Sequence, residues 1–302
     1  MTTRLGKLKS GLQSDPLDTI KRAVQFVFGV VRAGIENLLL ILYRILVLPL
    51  PGRTKAGLKH SLNPRVKLDY HRREIFLTAD STLSIQRARA CEKEPETVKW
   101  IEERIQPDDV FYDVGANVGA YSLVASKFLN GRVIVYAFEP SFSTYDQLCR
   151  NIVLNHCEDS VHPFLLALND STGTVEFEYH SLDAGDAEHR LISDANAPSS
   201  PAKSVYRQRL FGYRLDDLIS QFDFPQPNHM KLDVDGSELA ILQGAVKTIR
   251  NDALKSILVE VRKENGQAEQ VEDILRSAGF RLISTHDRGD GMIWNYIFKK
   301  EG

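Results

Sequence analysis

Five residues mark the first place in this 302-residue chain where chemistry is expected. The stretch VFYDVGANVGAYSL, Val110 to Leu123, runs from a β-rich segment through a glycine-bearing turn into a helical pattern. Asp113 closes the strand side, and Gly115, Asn117 and Gly119 make the turn. A turn of this kind lets backbone come close to a ligand, and the free N–H groups of the helix that follows attract an anion. Glu139, in YAFEPS at Tyr136 to Ser141, sits where the neighbouring strand would end. A carboxylate there can accept the hydroxyls of a ribose.

A dinucleotide-binding turn reads G-x-G-x-x-G, whereas this one reads G-x-N-x-G and puts Asn117 where the second glycine should meet a pyrophosphate. S-adenosylmethionine carries no phosphate. Its carboxylate can take the anion site while Asp113 accepts its ammonium group. Asp113, Gly115, Asn117, Gly119 and Glu139 therefore form the expected donor site.

A third stretch, HMKLDVDGSELAILQGA at His229 to Ala245, joins these two. Together they resemble the FkbM-type methyltransferases, over roughly Glu94 to Lys299. The resemblance implies a Rossmann-like class I fold, S-adenosylmethionine as cofactor, and a sugar, glycolipid or related small molecule as acceptor. The third motif departs from the family pattern at Asp235, where Glu is commoner.

Methyl transfer to a hydroxyl is an in-line displacement, and an alcohol is a weak nucleophile unless a base takes its proton as the bond forms. Asp233, at the carboxyl edge of its strand, is the expected base. Glu238, one turn later, has three readings: holding the acceptor, joining Asp233 and Asp235 on a divalent cation, or capping the helix. Three acids permit a metal but do not demand one, and none is predicted. Glu260 and Arg262 leave the next strand at the same edge and are candidates to line the acceptor pocket; His286 is a further candidate base.

These residues need a frame to hold them. Short β-rich runs at Val110–Val114, Val133–Phe138, Pro163–Leu168, His229–Val234 and Ser256–Val261 alternate with helical patterns at Gly119–Phe128, Ser143–Asn155, Ser237–Arg250 and Gln267–Ala278. That alternation predicts a mostly parallel sheet covered on both faces. Phe280–Thr285 and Trp294–Lys299 predict a closing antiparallel pair. Pro95–Ile105 reads as a helix and Glu74–Ala90 as a short hairpin. A polar insertion, Tyr179 to Lys203, reads as a lid or mobile loop. Residues 94–302 are thus the expected catalytic domain.

The head of the chain is different. Residues 1–73 hold 14 Lys/Arg against 4 Asp/Glu, although the whole chain carries a net charge of −2. Residues 1–17 read as a flexible tail and 18–50 as one long amphipathic helix, followed by a basic connecting segment, 51–93. Arg32, Glu36 and Arg44 interrupt every window long enough to span a bilayer. The expectation is peripheral contact with the inner, cytoplasmic face of a membrane; packing on the catalytic domain or on a second copy is the alternative. Cys91, Cys149 and Cys157 show no C-x-x-C spacing, which excludes a zinc ribbon and a disulfide framework.

Two other activities compete. A nucleic-acid methyltransferase would explain the basic head, but no Asn-Pro-Pro-Tyr or Asp-Pro-Pro-Tyr follows the fourth strand and no cysteine follows a proline. No nucleic-acid partner is expected. A nicotinamide-dependent oxidoreductase would use the same strand, turn and ribose acid, but lacks its glycine.

Overall fold

The computed structural model describes residues 16–62, 64–186, 189–192, 204–263, 266–289 and 291–301. The chain divides into two units at Leu62. In the first, α1 (Pro16–Leu46) is a 31-residue helix, and α2 (Gly52–Leu62) follows Pro51. Helix α1 confirms a long helix where 18–50 predicts one; α2 replaces part of the expected connecting segment. Residues Val31 to Leu46 are all exposed, apolar and polar alike. Among the described residues no helix is long and apolar enough to cross a membrane. The expected tail, 1–17, lies almost wholly outside the described residues.

The second unit begins with β1 (Arg65–Lys67) and β2 (Phe76–Thr78), an antiparallel pair with Val66 opposite Leu77. This corrects the expected hairpin within 74–90: β2 pairs backwards in the chain, and Thr82–Arg87 is a helix, α3. Ser81 starts that helix by a capping box in which Ser84 stands in for the usual Glu or Gln. Then come α4 (Ala90–Lys93), α5 (Pro95–Arg104), β3 (Val110–Val114), α6 (Ala120–Phe128), β4 (Ile134–Phe138), α7 (Phe142–Leu154) and β5 (Val161–Phe164). Next are β6 (Ala167–Leu168), β7 (Gly173–Tyr179), β8 (Arg190–Ile192), β9 (Tyr206–Tyr213) and α8 (Leu215–Gln221). The chain closes with β10 (His229–Leu232), α9 (Glu238–Gly244), α10 (Val246–Arg250), β11 (Ser256–Arg262), α11 (Gln267–Ser277), β12 (Phe280–Asp287) and β13 (Ile293–Lys300).

Seven strands make the main sheet in the order β12-β13-β11-β10-β3-β4-β5. From β11 to β5 neighbours are parallel, and β13 runs antiparallel to both β11 and β12. Alternation along β3 sorts its side chains: Phe111 packs on one face with Trp100, Leu123 and Leu148, from α5, α6 and α7. Tyr112 and Val114 pack on the other with Leu218, Leu242, Ile249 and Val271, from α8 to α11. From β3 the chain crosses to β4 and β5 on one side, whereas β10 returns to the opposite side of β3. That reversal is the switch point where such sheets open a crevice at their carboxyl ends.

The run Pro163–Leu168 is not one strand. Val161–Phe164 finishes the main sheet, and Ala167–Leu168 enters a second sheet, ordered β6-β9-β7-β8, which the sequence did not announce. Part of the polar insertion is ordered here, because β8 pairs antiparallel with β7. Residues 187–188 and 193–203 lie outside the described residues.

Candidate active site

A cleft with about 610 Å³ of free space, counted out to its open mouth, lies over the carboxyl ends of β3, β4 and β10. Gly115, Asn117, Glu139, Asp233 and Asp235 line it together, with Leu166 to Leu168, Phe177, Asp186 and His189.

The turn after β3 is shaped by close approach. Gly115 has φ +79°, and a Cβ there would stand 1.8 Å from the Asp233 carbonyl oxygen, so only glycine lets the turn pass beneath the end of β10. Its N–H and that of Ala116 both donate to the Phe138 carbonyl, tying the turn to β4. Asn117, at φ +51°, donates its backbone N–H to Glu139 Oε2 at 2.9 Å. The second Glu139 oxygen accepts from Ser141 N at 2.8 Å. Burial outweighs both bonds and raises the Glu139 carboxyl to about 7.

Asp113 is fully buried in β3. Its Oδ2 accepts from Ser122 Oγ at 2.6 Å, while Oδ1 has no hydrogen-bond partner among the described residues. Burial pushes its pKa up, against the pull of the Lys231 ammonium 4.0 Å away. Asp113 is not among the residues that line the cleft; its open oxygen lies in β3, two residues before the cleft glycine. Gly119 does not line the cleft. It precedes α6 at φ +88°, and an added Cβ would meet Leu148 Cδ1 at 2.5 Å, so it serves the packing of α6 on α7.

Asp233 follows β10 directly, with its side chain about a quarter exposed, and Lys231 Nζ donates to its Oδ2 at 2.8 Å. Lys231 is itself wholly buried in register with Asp113, so one ammonium serves two carboxylates. Burial would raise the Asp233 carboxyl, but Lys231, and Arg288 after it, hold it below the ordinary carboxylate range. A carboxylate paired in this way accepts a hydrogen bond well.

Glu238 also differs from its first two readings. Its Oε1 accepts from the backbone N–H groups of Val234 and Gly236, at 3.1 and 3.2 Å, and Oε2 accepts from Gln267. Buried in this way it fixes the loop that carries Asp233 and Asp235, ahead of the start of α9. Among the described residues no group of three or more His, Cys, Asp or Glu could hold a metal ion.

Glu260 and Arg262 are not among the cleft residues. Glu260 is buried in an ion triad: Arg288 reaches it at 2.6 Å and Glu94 at 2.8 Å. Burial, then the charge of Asp233, raises the Glu260 carboxyl above its ordinary range. Arg262 faces Asp235 at 3.9 Å. His286 lies in β12 opposite Asn295, away from the cleft. The sequence reading assigned no role to Lys231, Ser122, Asp186, His189 or Arg288. For Lys231 a signal existed, since alternate residues on a strand share a face and Lys231 stands two before Asp233. The others arrive by long-range folding.

A mostly parallel sheet of this order, with its cleft at the switch point and acids at the ends of two strands, is a Rossmann-like α/β fold. Residues 113–282, more than half of the chain, match the model of the methyltransferase FkbM domain, and the chain belongs to that family. It is an S-adenosylmethionine-dependent methyltransferase, which sets the oxidoreductase reading aside. It is 28% identical over 184 residues to the hexuronic acid methyltransferase AglP of Haloferax volcanii, covering 61% of this chain and 69% of that one. It is 25% identical over 209 residues to the 31-O-demethyl-FK506 methyltransferase FkbM of Streptomyces tacrolimicus, covering 61% and 76%. A crystal structure of methyltransferase FkbM from Methylobacillus flagellatus matches with a TM-score of 0.44 at 15% identity, covering 72% of this chain and 55% of the other.

Proposed function

We propose that the chain methylates a hydroxyl of a sugar or related small molecule, with a hexuronic acid or its glycoside as the first acceptor class. The observation that carries this reading is the meeting of Glu139 and Asp233 in one cleft, from the ends of β4 and β10. The likeness to a hexuronic acid methyltransferase supports the acceptor class. When bound, S-adenosylmethionine supplies an electrophilic methyl group. Asp113 accepts its ammonium group, the turn Gly115–Asn117 shapes the floor, and Glu139 takes the ribose hydroxyls. Asp233 stays a carboxylate throughout and receives the hydrogen bond of the acceptor hydroxyl, aiming its oxygen. Glu238 holds the Asp233 loop in place.

We also assign helices α1 and α2 to a membrane surface, which suits a lipid-linked acceptor. Exposed Ile35, Leu38, Leu42 and Ile45 offer an apolar face, and Arg53 and Lys55 follow at the start of α2. Burying the first group at the headgroup boundary while the second meets anionic lipid is the behaviour of an interfacial helix.

The test is methyl transfer from S-adenosylmethionine to p-nitrophenyl β-D-glucuronide, read by mass spectrometry. The expected outcome is a product heavier by one methylene, with Asp233→Asn slowing its formation by on the order of 100-fold at unchanged donor affinity. Transfer to none of a panel of sugar hydroxyls would sink the acceptor reading while leaving the family intact.

A further inference from the structure

Methyl transfer to a hydroxyl needs somewhere for the proton to go, and several carboxylates in or beside the cleft are already engaged by hydrogen bonds. Asp233 is neutralised by Lys231, and Glu139 and Glu238 each accept two backbone N–H groups. His189 differs. It lines the same cleft, is only 9% exposed, and neither ring nitrogen has a hydrogen-bond partner among the described residues. A buried imidazole left this way costs stability unless a ligand completes it, so such groups call for an explanation.

The ring is held rather than loose. It sits against Phe177 and Tyr179, with ring centroids at 5.6 and 5.0 Å. The chain just before it is moored at several points. Ser81 Oγ donates to Ala184 O at 2.9 Å, Arg87 Nε donates to Gly185 O at 2.9 Å, and Gly185 N donates to Thr144 Oγ1. Asn117 Nδ2 donates to Asp186 O at 3.1 Å, which ties this stretch to the donor turn itself. Asp186 and His189 of the polar insertion therefore stand in the wall of the cleft, and His189 presents an imidazole there.

We propose that His189 is a catalytic residue, the general base that receives the acceptor's hydroxyl proton. The inference rests on the hydroxyl-acceptor reading given above. In the step, the acceptor oxygen forms its bond to the methyl carbon as its proton passes to a His189 ring nitrogen. The carbon–sulfur bond breaks with its electron pair left on sulfur, and the imidazolium then returns its proton to water. Burial lowers the His189 pKa below 6.5, which leaves the ring neutral and basic at neutral pH. Asp186 opposes that shift, and His180 and Arg87 add to it. Glu139, Asp233 and Asp235 are the other charged groups of the cleft.

The experiment compares the full-length chain with His189→Gln. Calorimetry with S-adenosylhomocysteine should give affinities within about threefold of each other, since the turn Gly115–Asn117 and Glu139 are left unchanged. Turnover of p-nitrophenyl β-D-glucuronide should fall on the order of 100-fold or more in kcat. The wild-type rate should rise with pH through an inflection below 6.5, and that inflection should vanish in the variant. A kcat within threefold of wild type, or an unmoved inflection, overturns the proposal. If the wild type binds S-adenosylhomocysteine but methylates no sugar hydroxyl, the acceptor reading is what has failed. The His189 imidazole is then judged by NMR: resonances that titrate below 6.5 and shift on adding S-adenosylhomocysteine sustain its place in the cleft. Resonances that titrate as in a free peptide and ignore the ligand overturn it.

Discussion

Replacing Gly115 by alanine should damage both the fold and the donor site, and a second glycine provides the control. Gly115 and Gly131 have nearly the same backbone angle, φ +79° and +77°. At Gly131 an added Cβ meets nothing within 4 Å, whereas at Gly115 it would lie 1.8 Å from Asp233 O and 2.8 Å from Asp233 C. Both substitutions carry the left-handed backbone penalty of about 1–2 kcal/mol. Only Gly115→Ala adds the cost of forcing backbone apart, about 1–3 kcal/mol for an overpacked site. Urea unfolding, followed by fluorescence of the buried Trp100, should separate the two variants by about 1–3 kcal/mol. The displaced atom belongs to the residue that lines the cleft, so Gly115→Ala should also lose S-adenosylhomocysteine affinity while Gly131→Ala keeps it. Equal destabilisation by the two variants, or wild-type affinity in Gly115→Ala, would refute the account of this turn.

Other outcomes follow from the same geometry. Lys231→Met strands the buried Asp113 and the partly buried Asp233 and should cost about 3–5 kcal/mol in urea unfolding; a loss under 1 kcal/mol would mean that the ammonium is not needed there. Burial raises Glu238 from 4.5 to about 7, so the folded chain holds the extra proton and this group's stabilisation fades as pH rises across that window. The unfolding free energy of wild type minus that of Glu238→Gln should therefore shrink by about 3 kcal/mol between pH 4.5 and 7.5, and a constant difference would contradict it. The raw slope is less informative, because buried His229, lowered to about 4, works in the opposite direction. Finally, Ile35→Asp with Leu42→Asp should abolish sedimentation with phosphatidylserine vesicles; a wild type that never sediments would remove the membrane assignment.

Much of the catalytic unit is legible in its residues, because local rules and tertiary structure agree there. Val110–Val114 is both β-rich and followed by a turn that only its glycines permit, and the sheet places it centrally. Where they part, the reason is a pairing partner distant in the chain. Pro163–Leu168 is uniformly apolar enough to read as one strand, yet it divides because β6 is claimed by β9, more than forty residues later. Thr82–Arg87 carries alternating apolar residues, but the capping box of Ser81 and Ser84 starts a helix there. The donor turn was visible as a pattern of types, but Gly119 shares that pattern for a packing reason that no spacing reveals. His189 had no local signal at all, since its place depends on four hydrogen bonds that reach back to Ser81, Arg87, Asn117 and Thr144.

The most direct test of the central claim is calorimetric titration of S-adenosylmethionine and S-adenosylhomocysteine into the full-length chain and into Glu139→Ala. Saturable binding to the wild type, weakened about tenfold or more by Glu139→Ala, is the predicted result, as one charge-assisted hydrogen-bonded contact is lost. Equal affinity in the variant, or no binding to a folded wild type, would contradict the placement of the donor between the ends of β3 and β4.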